Sequence, residues 1–294
     1  MTTVGFIGLG IMGMPMAHNL RRAGFDVVGH NRSQGKVDRF VADGGRGASS
    51  IREAVTGADI VMTNLPDSPD VEQVVLGEDG VLAHAAEGTL LIDFSTIRPD
   101  TARTVHAAAA ERGVAALDAP VSGGEKGAID GTLAVMVGGD ADAFERAGEA
   151  FDAVGKTVVH VGPAGSGQTV KAANQLLVAG ALELVAESIV FLEANGVDTE
   201  AALRVLAGGR ARNAVLETEA ERILRRDFTP GFRVELHHKD LGIMQAAARD
   251  AGVAIPLGAH VAQLVASLQA QGMGQQDSAA LLTLVEQLSG RAHG

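Results

Sequence analysis

The sequence predicts an α/β chain in which a mostly parallel, doubly wound sheet over residues 1–162 is followed by an all-helical C-terminal domain over residues 163–294. Three observations carry that prediction. Short apolar runs alternate with helical patterns as far as residue 161. Most of those runs are continuously apolar, as strands covered on both faces require. Beyond a breaker-rich stretch the chain becomes Ala- and Leu-rich with helical spacing. A length of 294 residues allows two domains, each with its own core.

The strands are expected at residues 4–7, 27–30, 60–64, 90–93, 114–117, 133–137 and 158–161. A helix over 12–23 separates the first two, and Gly24 stands where a helix C-terminus favours glycine. Ser50 followed by Glu53 reads as a capping box, and Pro99 fits a first helical turn. The breaker-rich junction is Gly162-Pro163-Ala164-Gly165-Ser166-Gly167. After it comes a helix over 168–195, closed by Gly196 and apolar around most of its circumference, so it belongs at the centre of the second domain or in a subunit contact. The glycine-containing C-terminal tail is expected to fray.

Composition excludes several roles. A net charge of -12 leaves no basic stripe for a phosphate backbone, which argues against nucleic acid as a partner. Zero cysteines exclude disulfides and thiolate metal sites, and the expected location is cytoplasmic. The N-terminus enters a strand with no basic, cleavable apolar leader in front of it, so no export signal is expected. Residues 176–192 are interrupted by Glu183, Glu187 and Ser188, which predicts a buried helix and no membrane span.

The first strand runs into Gly8-Leu9-Gly10-Ile11-Met12-Gly13, which opens a helix. In that context the glycines form a Rossmann-type dinucleotide fingerprint: Gly8 for the tight turn, Gly10 for close approach of a pyrophosphate, Gly13 for helix-to-strand packing. The second strand ends in Asn31-Arg32, where an NAD enzyme usually places an acid for the ribose hydroxyls. An uncharged amide and a guanidinium suit a 2'-phosphate, so the expected cofactor is NADP, with NAD possible. Read alone, Arg32 is also compatible with an ordinary exposed arginine.

Lys171 and Asn174 lie three residues apart, on one face near a helix start. A lysine in so apolar a helix must snorkel, pair with an acid or serve chemistry, and partial desolvation there suits general acid–base work. The turn Ser122-Gly123-Gly124 after a strand exposes several donors able to converge on an anion, although a plain turn reads the same way. His237 and His238 are adjacent and lack a second ligand pair, so no metal site is expected.

Four separated blocks resemble the β-hydroxyacid dehydrogenases over nearly the full chain: Phe6 to Asn19, Asp118 to Gly124, Gly167 to Asn174, and Lys239-Asp240-Leu241. The resemblance implies reduction of a small 3-oxo acid, or the reverse oxidation, on a small carboxylate or aldehyde substrate. It implies Lys171 as general acid, Asn174 as a substrate-positioning group, and Ser122, Gly123 and Gly124 as the carboxylate site. Leu65, Pro66 and Thr96 would flank the nicotinamide, and Lys239 would reach the cofactor. Apart from the resemblance, Lys239 reads equally as a surface lysine paired with Asp240 or Glu235. The apolar helix and its Ala-rich neighbours offer more apolar surface than one helical domain buries, which predicts a homodimer or homotetramer.

Overall fold

The computed structural model describes residues 1–291, so the end of the tail expected to fray lies outside the described residues. Among the described residues nine strands form one sheet: β1 (Thr3–Ile7), β2 (Asp26–His30), β3 (Arg46–Gly47), β4 (Ile60–Thr63), β5 (Leu90–Asp93), β6 (Ala115–Asp118), β7 (Val121–Ser122), β8 (Leu133–Gly139) and β9 (Gly155–Gly162). Their order is β3-β2-β1-β4-β5-β6-β8-β7, with β9 paired to β8. The first six strands are mutually parallel. β8 runs antiparallel to β6 and β7, and β9 is parallel to β8.

All seven expected strands are present within a few residues of their expected ends. The two that sequence reasoning missed, β3 and β7, are two residues long each, too short to carry any periodicity. The chain leaves β1 for β2 and β3 on one side, then returns to β4 on the other. That reversal makes the crevice beyond the carboxyl ends of β1 and β4 the place where an open α/β sheet binds ligands.

The continuous apolar runs are explained by cover on both faces. Val4, Phe6, Met62 and Ile92 join one buried cluster, while Ile7, Val61 and Leu91 join another. Local signals hold in detail. Gly24 and Gly196 follow their helices with positive φ, and Pro99 opens the helix Pro99–Ala110. Ser50 Oγ accepts from the Glu53 N–H at 3.1 Å. The reciprocal half of the capping box differs from expectation, because the Glu53 carboxylate accepts from Ser49 N–H and Oγ, both at 2.7 Å.

The chain forms two compact units, Met1–Lys171 and the residues from Ala172 onward. The division falls within the helix Ser166–Ala194 and not at the Gly162–Gly167 junction, since the first turns of that helix are bonded to the sheet unit. The second unit contains no strand among the described residues. Its core gathers Ala179, Leu182, Ala186 and Ile189 of the long helix with Val234, Leu241, Val265 and Leu281. Contrary to the reading that Glu183 and Glu187 disqualify it, this helix is by length and composition apolar enough to cross a membrane, its best window reaching a mean hydropathy of 1.8. One face of this helix packs into the core just described, while Leu177, Leu184 and Phe191 on it stay exposed.

Glu183 is a cost within that core. It is 4% exposed, and its Oε2 has no hydrogen-bond partner among the described residues. Burial, reinforced by the charge of Glu187, pushes its carboxyl up to about 7. Because the folded value lies above the unfolded one, folding takes up a proton in this range. Stability therefore falls as pH rises from the ordinary glutamate range through about 7, then levels off. Glu183→Gln should raise Tm at pH 8, by roughly 3 °C for each kcal/mol relieved, and should flatten the Tm difference between pH 5 and pH 8. An unchanged pH dependence in the variant would refute the burial argument.

Candidate active site

The glycine turn is shaped by two different demands. A Cβ on Gly8, whose φ is +104°, would lie 2.2 Å from the Asn64 carbonyl oxygen, and one on Gly13 would lie 1.9 Å from that of Gly8. These two are glycines because the chain packs against itself. A Cβ on Gly10 would meet nothing within 4 Å. Its bareness is not required by the protein and suits close approach of a ligand, so the turn fits a dinucleotide pyrophosphate. Beside it Ile11 is 60% exposed, an apolar wall at the same turn.

Asn31 is bound into this turn. Its Oδ1 accepts from the Leu9 N–H at 3.1 Å, which ties the end of β2 to the glycine loop. Arg32 is exposed and makes no ion pair among the described residues. Lys36, also exposed, follows in the first turn of the helix Gln34–Ala42. Sequence reasoning passed over it because a lysine in a polar helical turn is unremarkable on its own.

The other sheet residues singled out from sequence gather at the carboxyl ends of neighbouring strands. Leu65 and Pro66 follow β4, and the Leu65 N–H donates to Ser95 Oγ at 2.8 Å. Asp93, at the end of β5, accepts from Thr63 Oγ1 at 2.7 Å and from Ser95 N–H at 3.1 Å, which fixes the loop carrying Thr96. Ser122 lies on β7, and Gly123 and Gly124 follow with φ of +137° and +62°, left-handed conformations that favour glycine. All three face solvent at least partly, with their turn anchored where Asn19 Nδ2 donates to Ala128 O at 2.7 Å.

The head of the long helix is clamped to this edge. Asp118, at the end of β6, accepts from Gly165 N–H at 2.7 Å and Gln168 N–H at 2.9 Å. Gln168 brackets the Thr96 loop: its Oε1 accepts from Ile97 N–H at 3.0 Å and its Nε2 donates to Ser95 O at 2.8 Å. Gly167 packs so closely that a Cβ there would lie 2.3 Å from Met136 O. Lys171, 7% exposed, is carried one turn further along this fixed helix head. Burial pushes the Asp118 carboxyl up to about 6, against the pull of the Gly165 and Gln168 N–H groups, with neighbouring Asp93 adding to the rise. Neither Asp118 nor Gln168 was legible as a positioning group, since their partners lie 47 to 73 residues away.

In the second unit Asn174, Gln175, Lys239 and Asp240 form one connected set. Asn174 Nδ2 donates to Gln175 Oε1 at 2.8 Å, and Gln175 Nε2 donates to Asp240 Oδ2 at 2.7 Å. Lys239 Nζ lies 3.0 Å from Asp240 Oδ1. His237 is buried against the Phe232 ring while His238 faces outward, so the two imidazoles do not share a site.

Residues 3–162 match the family described as the NAD binding domain of 6-phosphogluconate dehydrogenase. Residues 165–285 match that described as NAD-binding of NADP-dependent 3-hydroxyisobutyrate dehydrogenase. The chain is 41% identical to an NAD-dependent L-serine dehydrogenase of Pseudomonas aeruginosa, over 99% of this chain and 100% of that one. It belongs to the β-hydroxyacid dehydrogenases. Another member of this family, the 2-hydroxy-3-oxopropionate reductase of Escherichia coli, is 40% identical over 96% of this chain and 97% of its own. A solved Mycobacterium tuberculosis 3-hydroxyisobutyrate dehydrogenase with L-serine superposes with a TM-score of 0.88 at 36% identity, covering 97% of this chain and 99% of that one. As a β-hydroxyacid dehydrogenase the chain is an NAD(P)-dependent oxidoreductase, and the fold class read from its sequence is the one found.

Proposed function

We propose that this β-hydroxyacid dehydrogenase reduces 2-hydroxy-3-oxopropionate to glycerate with NADPH, Lys171 supplying the proton. The observation that carries the reading is the clamped helix head, which holds a buried lysine one turn from groups bonded to the Thr96 loop and to β6. When bound, NADPH would supply a hydride to the aldehyde carbon. As that C–H bond forms, the carbonyl π pair moves to oxygen, which takes a proton from Lys171 Nζ; the neutral amine is reprotonated from solvent. Ser122 with the N–H groups of Gly123 and Gly124 holds the carboxylate, and Asn174 positions the substrate's remaining oxygens. Leu65, Pro66, Thr96 and Lys239 would hold the cofactor, and Arg32 would pair with its 2'-phosphate while Asn31 sets the loop.

The 40% identity to the Escherichia coli reductase supports this substrate. A second reading, oxidation of L-serine with NAD, is favoured by the 41% identity to the Pseudomonas aeruginosa enzyme. Glycerate and serine differ only in the group at C2, whereas 3-hydroxyisobutyrate carries a methyl there. A homo-oligomer fits the stripe Val170, Leu177, Leu184 and Phe191, exposed at every seventh position of the long helix.

One panel tests all of this: kcat/KM for 2-hydroxy-3-oxopropionate, glycerate, L-serine and 3-hydroxyisobutyrate with both cofactors, repeated for Arg32→Ala, with the mass in solution measured on the same samples. The expected leader is 2-hydroxy-3-oxopropionate with NADPH, and Arg32→Ala should cut the NADPH-to-NADH preference by about tenfold or more. L-serine with NAD in the lead would replace the reading. An unchanged cofactor ratio would remove Arg32 from it, and a monomer would remove the oligomer.

A further inference from the structure

The polar set around Asn174 has a direction dictated from one end. Asp240, 3% exposed and paired with the Lys239 ammonium, presents a carboxylate that acts only as an acceptor. The Gln175 group 2.7 Å from Asp240 Oδ2 must then be Nε2, which turns Gln175 Oε1 toward Asn174. Asn174 meets that oxygen at 2.8 Å with Nδ2, since an amide oxygen at this distance would be repelled. Asn174 Oδ1 is left outside the relay, with no hydrogen-bond partner among the described residues. Turning any amide over would bring acceptor against acceptor beside the buried Gln175, itself 3% exposed.

We propose that Gln175 and Asp240 are positioning residues which, acting in series, fix the polarity of the Asn174 amide so that it meets the substrate as a hydrogen-bond acceptor. The inference rests on the reading above that Asn174 serves the substrate. An acceptor there pairs with the C2 hydroxyl of glycerate or the C2 ammonium of serine. A C2 methyl would leave the oxygen unpaired, so the relay selects 3-hydroxy acids that carry a donor at C2.

A charge swap tests the relay. Asn174→Asp places acceptor against acceptor at Gln175, and Asp240→Asn removes the group that sets the direction. With both changes the chain re-forms in reverse: Lys239 donates to residue 240, residue 240 to Gln175 Oε1, and Gln175 Nε2 to the new carboxylate, which still offers an acceptor to substrate. Each single variant should raise KM for glycerate by about tenfold with a smaller change in kcat. The double variant should raise it less than either, and this rescue should vanish in a Gln175→Leu background. The Tm of the substrate-free protein should show the same non-additive rescue.

Additive Tm losses would overturn the relay. Rescue in Tm with multiplied KM losses would overturn the assignment of the Asn174 oxygen to substrate. A wild-type enzyme that turns over no 3-hydroxy acid would defeat the functional reading, and the Tm cycle would still decide the relay.

Discussion

Lys171→Ala should lower kcat by about 10²- to 10⁴-fold, the usual contribution of a positioned general acid, while NADPH still binds. The lysine sits on a helix head held by Asp118 and Gln168, so its own removal leaves the clamp in place. Single-turnover hydride transfer and NADPH titration on the same sample separate the two quantities. Matching losses in kcat and kcat/KM would mark an interaction made only in the transition state. An alanine variant with the kcat of the wild type would show that the proton comes from elsewhere.

The second large effect distinguishes two glycines three residues apart. In Gly13→Ala the new methyl would lie 1.9 Å from Gly8 O and 3.0 Å from the Phe6 ring, so strand and helix must separate. Overpacking of this kind costs on the order of 3 kcal/mol, and a large drop in Tm or loss of folded protein is expected. Gly10→Ala meets nothing within 4 Å and should keep the Tm of the wild type. What it should lose is the rise in Tm on adding NADPH, which reports binding by mass action. If Gly10→Ala kept that rise in full, the pyrophosphate would have to pass elsewhere.

The parts of this chain that were readable in advance depend on short-range physics. Strand β1, the glycine turn and the first helix each show in a window of a few residues, because steric demands at Gly8 and Gly13 and continuous burial of Val4 and Phe6 act locally. Ser50 and Pro99 act at helix starts for the same reason. What stayed hidden was set by partners far along the chain. Asp118 becomes a clamp only when β6 lies beside the Gly165 to Gln168 turn, and Gln168 finds Ser95 and Ile97 across more than seventy residues. Asp240 was visible as part of a family block, yet its command over Gln175 depends on tertiary packing. The antiparallel entry of β8 likewise left no trace in its own apolar run.

Lys171 and Asn174 share one uninterrupted helix, Ser166–Ala194, although the first belongs to the sheet unit and the second to the helical unit. Their separation is therefore the thread of a screw, roughly 4.5 Å of rise and about 300° of rotation. No loop conformation can lengthen it and no side-chain repacking can rephase it. One residue added or lost between these positions would swing one of them by about 100° about the helix axis. For the roles proposed for Lys171 and Asn174, that spacing acts as a gauge block machined into the backbone.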